Sequence, residues 1–404
     1  MSIRSHAHRR GFAGACVIAA ALCAFPSIAA AQQFSLFDRN IQVHGFASQG
    51  FVKSDNNNFL TMTSKQGSAE FSDGGINVAS QITRTLRAGA QVYVRNIGDL
   101  TNGHVDLDWA MVDYRAKPWL GVRGGKVKTT LGLYNDNQDM AFLHTWAILP
   151  QSAYPLDLRA STIAHVGGDV YGTIAAGRGS SVAYTAFWGS RRDDKFGGYR
   201  YSLRDAGLPL VGSLEGKMGG TDVRWTSANG VTIGTSWLAT RVTGRGLYNL
   251  YGGIPYDIKT KSDNTYTAYS DYAWRNLHIN GELRREWQTT NFSFAGTTME
   301  APTSPTSAYA SAAYRLSKFV EVGGYYSRFY ADWAASHDAK DNHIYDKVFT
   351  TRFDVTSNFN VKVEAHFTDG YGDPYTPHGF YLSTNPSGFQ PTTNMLVLRT
   401  GVNF

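Results

Sequence analysis

Apolar and polar residues alternate along many segments of this chain, each about ten residues long. Segments 359–368 and 396–404 show the alternation, with Lys362, Glu364 and Arg399 among the polar positions. Successive side chains of a β-strand point to opposite faces, so a period of two predicts strands with one apolar and one water-facing side. In 86–95 the two sets are Leu86, Ala88, Ala90, Val92 and Val94 against Arg87, Gly89, Gln91, Tyr93 and Arg95.

Sixteen such segments can be placed along the sequence, and the connections between them alternate between long and short. Membrane β-barrels sort their connections in this way, with short periplasmic turns and long extracellular loops. A soluble β-sandwich, the alternative for many alternating strands, does not sort its loops by length. The pattern predicts that both termini are periplasmic and that the long connections are 54–71, 97–103, 129–164, 191–216, 243–263, 290–306, 331–346 and 369–393.

Composition strengthens this interpretation. The chain has 404 residues with 23 Tyr, 22 Phe and 9 Trp, yet its mean hydropathy is −0.29. Beyond residue 31 no apolar run approaches the roughly 18 residues that indicate a spanning helix. We therefore predict an all-β fold, a transmembrane antiparallel β-barrel of about sixteen strands. Aromatic residues near strand ends, such as Trp109, Trp188 and Trp225, are expected on the outward face at the membrane interface.

The first 31 residues have the layout of a secretory signal peptide. Arg4, Arg9 and Arg10 precede an apolar stretch over 11–25, and Ala29 and Ala31 are small residues at the positions read by a signal peptidase. A membrane anchor is the alternative, but this stretch falls short of the roughly 20 residues that a spanning helix needs. We predict cleavage after Ala31, which leaves 32–404 as one outer-membrane barrel.

Charge and motifs exclude several other classes of protein. Both cysteines, Cys16 and Cys23, lie in the signal segment, so the rest of the chain has no disulfide and no cysteine metal site. Three of the 38 basic residues also lie there, which leaves 35 basic against 32 acidic residues, too even a balance for a nucleic-acid partner. Neither Gly-x-Ser-x-Gly nor His-Glu-x-x-His occurs. The sequence predicts no enzyme activity, cofactor or metal, although a Ser-His-Asp site assembled across strands stays open.

Two stretches resemble a known family. Segment 121–135 (GVRGGKVKTTLGLYN) resembles the strand-into-loop segment of porins related to the phosphate-selective type. The C-terminal Phe404, with Val402, Leu398 and Leu396 on the same face, is similar to the ending by which outer-membrane barrels are recognised for insertion. The chain thus resembles bacterial outer-membrane porins. The resemblance implies a homotrimer in the outer membrane of a Gram-negative bacterium, inserted by the barrel-assembly machinery, whose third long loop folds into the barrel.

The third long connection here, 129–164, is also the longest, and it is the candidate constriction loop; a loop packed over the barrel mouth is the alternative. We expect its acidic residues Asp136, Asp139 and Asp157 to face a basic wall, which would set ion selectivity where the channel is narrowest. Alternatively, these charges pair across the lumen and only solvate the wall. The predicted pore-lining basic residues are Arg87, Arg95, Arg123, Arg352, Lys362 and Arg399.

Lys126 and Lys128 share parity with the lipid-facing residues of their segment, so we expect them at the outer rim, near phosphates of lipopolysaccharide. The predicted function is a water-filled channel for passive diffusion of small hydrophilic solutes and ions. The alternatives are a channel selective for an anion or a small organic solute, a plugged barrel that acts as a structural anchor, and an outer-membrane hydrolase.

Overall fold

The computed structural model describes residues 32–36, 39–101, 103–192, 196–249 and 253–404. The predicted signal peptide, 1–31, and its cleavage point after Ala31 lie outside these residues. No helix in the described ranges is long and apolar enough to cross a membrane. Helical structure in the described ranges consists of two 3-10 turns, Ala141–Leu143 and Leu156–Leu158, and two α-helices, α1 (Arg159–Thr162) and α2 (Gly198–Asp205).

Strands account for most of the described chain. They are β1 (Gln32–Leu36), β2 (Arg39–Ser54), β3 (Ser68–Gln81), β4 (Leu86–Ile97), β5 (Val105–Lys117), β6 (Leu120–Lys128), β7 (Ala164–Gly177), β8 (Ser180–Arg192), β9 (Glu215–Thr226), β10 (Thr232–Tyr248), β11 (Ile254–Trp274), β12 (Leu277–Phe294), β13 (Thr297–Thr303), β14 (Thr306–Arg315), β15 (Val320–Tyr330), β16 (His343–Asp354), β17 (Phe359–Asp369) and β18 (Thr392–Asn403).

Sixteen of these strands, β2 to β12 and β14 to β18, pair antiparallel in chain order and form a closed barrel. The ring closes where β18 pairs with β2, from Met395 opposite Ser54 to Asn403 opposite Phe46. Two short strands add to this ring, since β1 folds back on β2 and β13 folds back on the end of β12. Closure leaves no free sheet edge in the ring, as a membrane requires. The predicted fold class and the predicted sixteen barrel strands are confirmed.

The alternation in sequence becomes the two faces of the barrel wall. On β4, Val92 is 46% exposed on the outer surface, whereas its neighbours Gln91 and Tyr93 are buried inside. On β18, Leu396 and Leu398 are exposed in the same way, and Val397 between them is fully buried. In a membrane these exposed apolar side chains contact lipid instead of water, so their exposure carries no hydrophobic free-energy cost.

Two of the predicted long loops are largely strand. Segment 243–263 belongs mostly to β10 and β11, and 290–306 belongs mostly to β12, β13 and β14. Here the alternation is inverted, since Tyr256 and Ile258 point inward against Leu210 and Leu214 while the outward residues are polar. This reversal fits a part of the wall that rises above the membrane, where the outer face meets water. A search for apolar outward faces therefore missed these strand extensions.

A β-bulge moves one tryptophan from the expected outer face to the inside. The pairing of β4 and β5 shifts register, with Gln91 opposite Trp109 and Val92 opposite Leu107, so Asp108 is the extra residue. An extra residue reverses the parity of those beyond it. The ring of Trp109 lies inside the barrel over Gly89, and its predicted outward position is wrong. Trp188 and Trp225 are exposed on the outside, as predicted.

Candidate functional site

Residues 129–163 leave the barrel wall at the end of β6 and fold across the lumen. Strand β6 ends at Lys128, opposite Ala164 of β7, and the chain between them re-enters the barrel as the inserted loop, as we call 129–163. Among the described residues, the inserted loop forms hydrogen bonds or ion pairs with eleven wall strands. The wall residues include Gln91, Arg95, Asp108, Lys128, His165, Arg224, Ser236, Glu282, Glu321, Tyr325, Arg352, Lys362, Glu364 and Arg399.

Three of the predicted pore-lining basic residues lie beneath the inserted loop. The ammonium of Lys362 donates to the carbonyl of Trp146 at 2.8 Å. The guanidinium of Arg399 donates to the carbonyl of Ala147 at 2.7 Å, and that of Arg352 to His144 at 2.9 Å. Lys362 is 1% exposed and Arg399 is 8% exposed. The wall that was expected to face the loop across water therefore contacts its backbone directly, because cationic side chains satisfy carbonyls that would otherwise be buried without partners.

Arg95 has a similar position, since its guanidinium donates to the carbonyl of Leu156 and is buried. Arg87 and Arg123 differ, because they border open space further along the wall. Arg123 lies 3.9 Å from the carboxylate of Asp169 and over the ring of Tyr171. The six basic residues thus divide into four that hold the inserted loop and two that face a cavity.

Glu364, one of the polar positions of segment 359–368, is the acidic counterpart of these contacts. Its carboxylate accepts the backbone N–H of Ala147 at 2.8 Å and of Ile148 at 2.9 Å, and it lies 3.1 Å from His366. Hydrogen bonds to an ionised acceptor are about twice as strong as neutral ones. The sequence signal was present, since Lys362 and Glu364 are opposite charges two residues apart on one inward face. Which backbone they would hold depended on the loop.

The three predicted acidic residues of the loop are separated in the structure. Asp139 lies in an ion network, 2.8 Å from Lys128 and 3.5 Å from Arg159. Burial alone would raise the pKa of Asp139, but these two cations bring it below its usual range. Burial raises the pKa of Asp157, whose carboxylate accepts the hydroxyl of Tyr381. Burial also raises the pKa of Asp136, which borders the same cavity as Arg87 and Arg123.

The expected outer-rim position of Lys128 is wrong. The last residue pair between β5 and β6 is Ala110 with Lys126, so Lys128 no longer pairs with β5 and is held in the wall only by β7. Its ammonium turns inward to Asp139 and to the backbone carbonyl of Asp136 at 2.9 Å. Lys126 remains on the outer face and donates to the carbonyl of Leu107.

The other end of the inserted loop rests on Glu282 of β12. This carboxylate accepts the hydroxyls of Tyr154 and Tyr309 and the backbone N–H of Leu133 at 3.3 Å. Gly132 lies beside it with a φ of +62° and no room for a side chain, since an added Cβ would meet the carboxylate of Glu282.

Replacing Gly132 with Ala should therefore lower the free energy of unfolding by about 1–3 kcal/mol, because a non-glycine residue in this backbone region is strained. Denaturant unfolding in detergent measures it. Gly207, which also has a positive φ but open space around it, is the matched control and should lose only the backbone part of that cost when changed to Ala. An equal loss at both positions would contradict the close contact with Glu282.

Two sizeable cavities border the inserted loop. The smaller, about 240 Å³, is lined by Arg87, Trp109, Asp113, Arg123 and Asp136. The larger, about 340 Å³, lies between the inserted loop, the α2 segment and the inner face of β10 to β12. Both cavities are lined by side chains of both charge signs, so charged groups face the lumen beside the loop in each of them.

One group of side chains has the order of a catalytic triad. The side chains of Thr129, His165 and Asp169 form a chain of hydrogen bonds, with 3.0 Å from Oγ1 to Nδ1 and 2.8 Å from Nε2 to Oδ1. All three residues are 2% exposed or less, so a substrate has no access to the hydroxyl. In the described ranges, no group of three His, Cys, Asp or Glu side chains could hold a metal ion.

The C-terminal residue completes the closure of the barrel. Phe404 donates its backbone N–H to the carbonyl of Gly45 at 2.9 Å and accepts the N–H of Gly45 at 3.1 Å. Its ring lies directly over Gly45, where an added Cβ would collide with it. Phe404 thereby extends the pairing of β18 with β2 by one residue.

No protein-family model matches this sequence, and no curated protein matches it. Solved structures do match over almost the whole chain. OmpT, an outer membrane protein of Vibrio cholerae, has 11% identity and a TM-score of 0.54, and covers 93% of this chain and 100% of its own; a trimer form of OmpT has a TM-score of 0.52.

Two further structures agree. The outer membrane channel DcaP of Acinetobacter baumannii has 8% identity and a TM-score of 0.54, and covers 92% of this chain and 99% of its own. An anion-selective porin from Comamonas acidovorans has 12% identity and a TM-score of 0.51, and covers 91% and 100%. Likeness at such low identity concerns the fold, and it does not single out the phosphate-selective type of porin. The chain has the closed, sixteen-stranded antiparallel fold of outer-membrane porin barrels.

Proposed function

We propose that this protein is an outer-membrane porin, a water-filled channel for passive diffusion of small hydrophilic solutes and ions. The observation that carries this proposal is the uneven placement of the inserted loop. It covers the wall formed by β15 to β18, where Lys362 and Arg399 are buried, whereas charged cavities remain between the loop and β4 to β6 and between the loop and β10 to β12. Charged groups that line a narrow aqueous passage set its selectivity. On this proposal, residues 129–164 act as the constriction loop.

Conductance of the purified protein in planar bilayers tests the proposal, and stable open-state steps are expected. A plugged barrel that serves as a structural anchor is the second candidate, since the inserted loop contacts eleven wall strands among the described residues. A membrane that stays silent after confirmed insertion would favour the anchor and overturn the channel. An outer-membrane hydrolase would be detected by esterase and protease assays on the same preparation.

Ion selectivity should depend on the two arginines that border the smaller cavity. Changing Arg87 and Arg123 to Gln together should shift the permeability ratio toward cations by about twofold to fivefold, because a unit charge about 4 Å from an ion in water contributes about 1 kcal/mol. The reversal potential in a salt gradient measures this. Arg245→Gln is the matched control, since Arg245 is exposed on the part of β10 outside the membrane. An unchanged reversal potential in the double variant would rule out this selectivity site.

We further propose that the barrel forms a homotrimer, with support from the trimer form of OmpT. The barrel-assembly machinery would recognise the C-terminal strand through Phe404, and lipopolysaccharide phosphates would bind the outer face near Lys126. Molar mass in detergent tests the trimer, and a monomeric mass would contradict it.

A further inference from the structure

The larger cavity has one wall that is unusually apolar for the inside of a water-filled barrel. Segment 206–214, after α2, folds onto the inner face of the wall, with Leu210 and Leu214 buried there. Apolar side chains from both sides meet and continue into the lining of the cavity. They are Leu203, Leu208, Leu214, Val242, Ile258 and Phe292. Such a surface is costly beside water alone and favours an apolar group of a solute.

The remaining wall carries charges of both signs at close range. Glu286 accepts the hydroxyl of Thr265 at 3.4 Å and lies 3.7 Å from the guanidinium of Arg284. Asp263 on β11 is a diagonal neighbour of Glu286, since Asp263 pairs with Gln288 and Thr265 pairs with Glu286. A second arginine, Arg191, also lines the cavity. A third carboxylate, that of Asp373, lines the cavity from the loop after β17. The cavity thus presents charges of both signs, so it suits a solute that itself carries both.

Two further polar atoms at this cavity have no partner among the described residues, the hydroxyl of Ser152 and Nδ1 of His378. The imidazole of His378 stacks on Phe329 with ring centroids 3.6 Å apart. Burial, together with the nearby Arg284, lowers the pKa of His378 to about 3, so the ring is neutral at physiological pH. Buried polar atoms without partners are rare in proteins, and these two are available to the head group of a solute.

We propose that this cavity binds a zwitterionic solute with an apolar side chain, of the size of an apolar amino acid. The carboxylate of the solute lies at Arg284 and Ser152, its ammonium lies at Glu286 and Asp263, and its side chain lies on the apolar wall. The inference rests on the proposed channel only in that the solute enters from the aqueous lumen. A solute that carries both charges can contact the arginines and the carboxylates at the same time, which an anion alone or a cation alone cannot do.

Calorimetric titration of the folded protein in detergent with L-phenylalanine tests this site. L-phenylalanine should bind at least about tenfold more tightly than glycine, since burial of its ring is worth more than one factor of ten. It should also bind more tightly than 3-phenylpropionate, which lacks the ammonium, and than phenethylamine, which lacks the carboxylate. The expected difference in affinity is again about tenfold. Equal binding of either single-charge analogue, or absence of L-phenylalanine binding, would overturn the proposal.

Two variants test the apolar wall and the charged wall of the site separately. Phe292→Thr should weaken L-phenylalanine binding about tenfold with little effect on glycine, and Arg284→Gln should weaken both. Arg87→Gln, in the smaller cavity, is the matched control and should change neither. Planar-bilayer conductance on the same preparation keeps the two proposals apart. Open steps without L-phenylalanine binding overturn only this site, and binding without open steps overturns only the channel.

Discussion

Replacing Glu364 with Ala is expected to lower the free energy of unfolding by about 3–5 kcal/mol, the cost of removing one partner from a buried charged network. The variant leaves the backbone N–H groups of Ala147 and Ile148 without an acceptor. It also removes one of the two carboxylates that contact His366, the other being Asp346. The inserted loop should then separate from the wall. In the proposed channel, single-channel conductance should rise because the occupied side of the lumen opens.

Two measurements decide this prediction, denaturant unfolding in detergent and conductance in planar bilayers. Glu300→Ala is the control, since Glu300 pairs with Lys261 on an exposed hairpin and such surface pairs contribute at most about 1 kcal/mol. Glu364→Gln keeps one acceptor oxygen and should fall between the two. Unchanged stability and conductance in Glu364→Ala would contradict a role for this carboxylate in holding the inserted loop.

Acidification is expected to weaken the packing of the inserted loop through His144. Burial, together with the nearby Lys362, lowers the pKa of His144 from 6.5 to about 3. The folded protein therefore keeps this ring neutral while the unfolded chain takes up a proton. Above pH 6.5 the ring is neutral in both states, so the free energy of unfolding does not change with pH through His144. Below pH 6.5 this free energy decreases by about 1.4 kcal/mol per pH unit, down to about pH 3.

The contribution of His144 is isolated by the difference between wild type and His144→Gln. Asp136 and Asp157 have raised pKa values and shift stability in the opposite direction, and this subtraction removes them. The free energy of unfolding of the wild type minus that of His144→Gln should decrease as pH falls from 6.5 toward 3. A pH-independent difference would contradict the buried, neutral imidazole of His144.

Most of the wall could be predicted from the sequence because each strand alternates apolar residues that face lipid with polar residues that face the lumen. The alternation in 86–95 and 359–368 is set by lipid on one side and polar lumen on the other, and it needs no knowledge of the partner strands. The prediction failed where that rule changes locally. The bulge at Asp108 turned Trp109 inward, and above the membrane the outward residues of β10 and β11 became polar.

The candidate site was only half predictable. Closure of the barrel brings Arg352, Lys362 and Arg399 beside the early strands, as the strand order implied. What strand periodicity could not provide was the path of the inserted loop, which has no regular period and whose position depends on contacts with residues far away in sequence. Glu364 and Glu282 gained their roles only because backbone amides of the loop reach them.

The sequence by itself determined the strands, their inward and outward faces and the order of long and short connections, because these follow from local alternation against two solvents. Only the tertiary structure decided which wall the inserted loop covers. That choice turned the expected basic wall into a buried support, drew Lys128 inward to Asp139, and left open cavities on the opposite side. Long-range pairing of backbone groups with charged side chains makes this choice, and no local pattern encodes it.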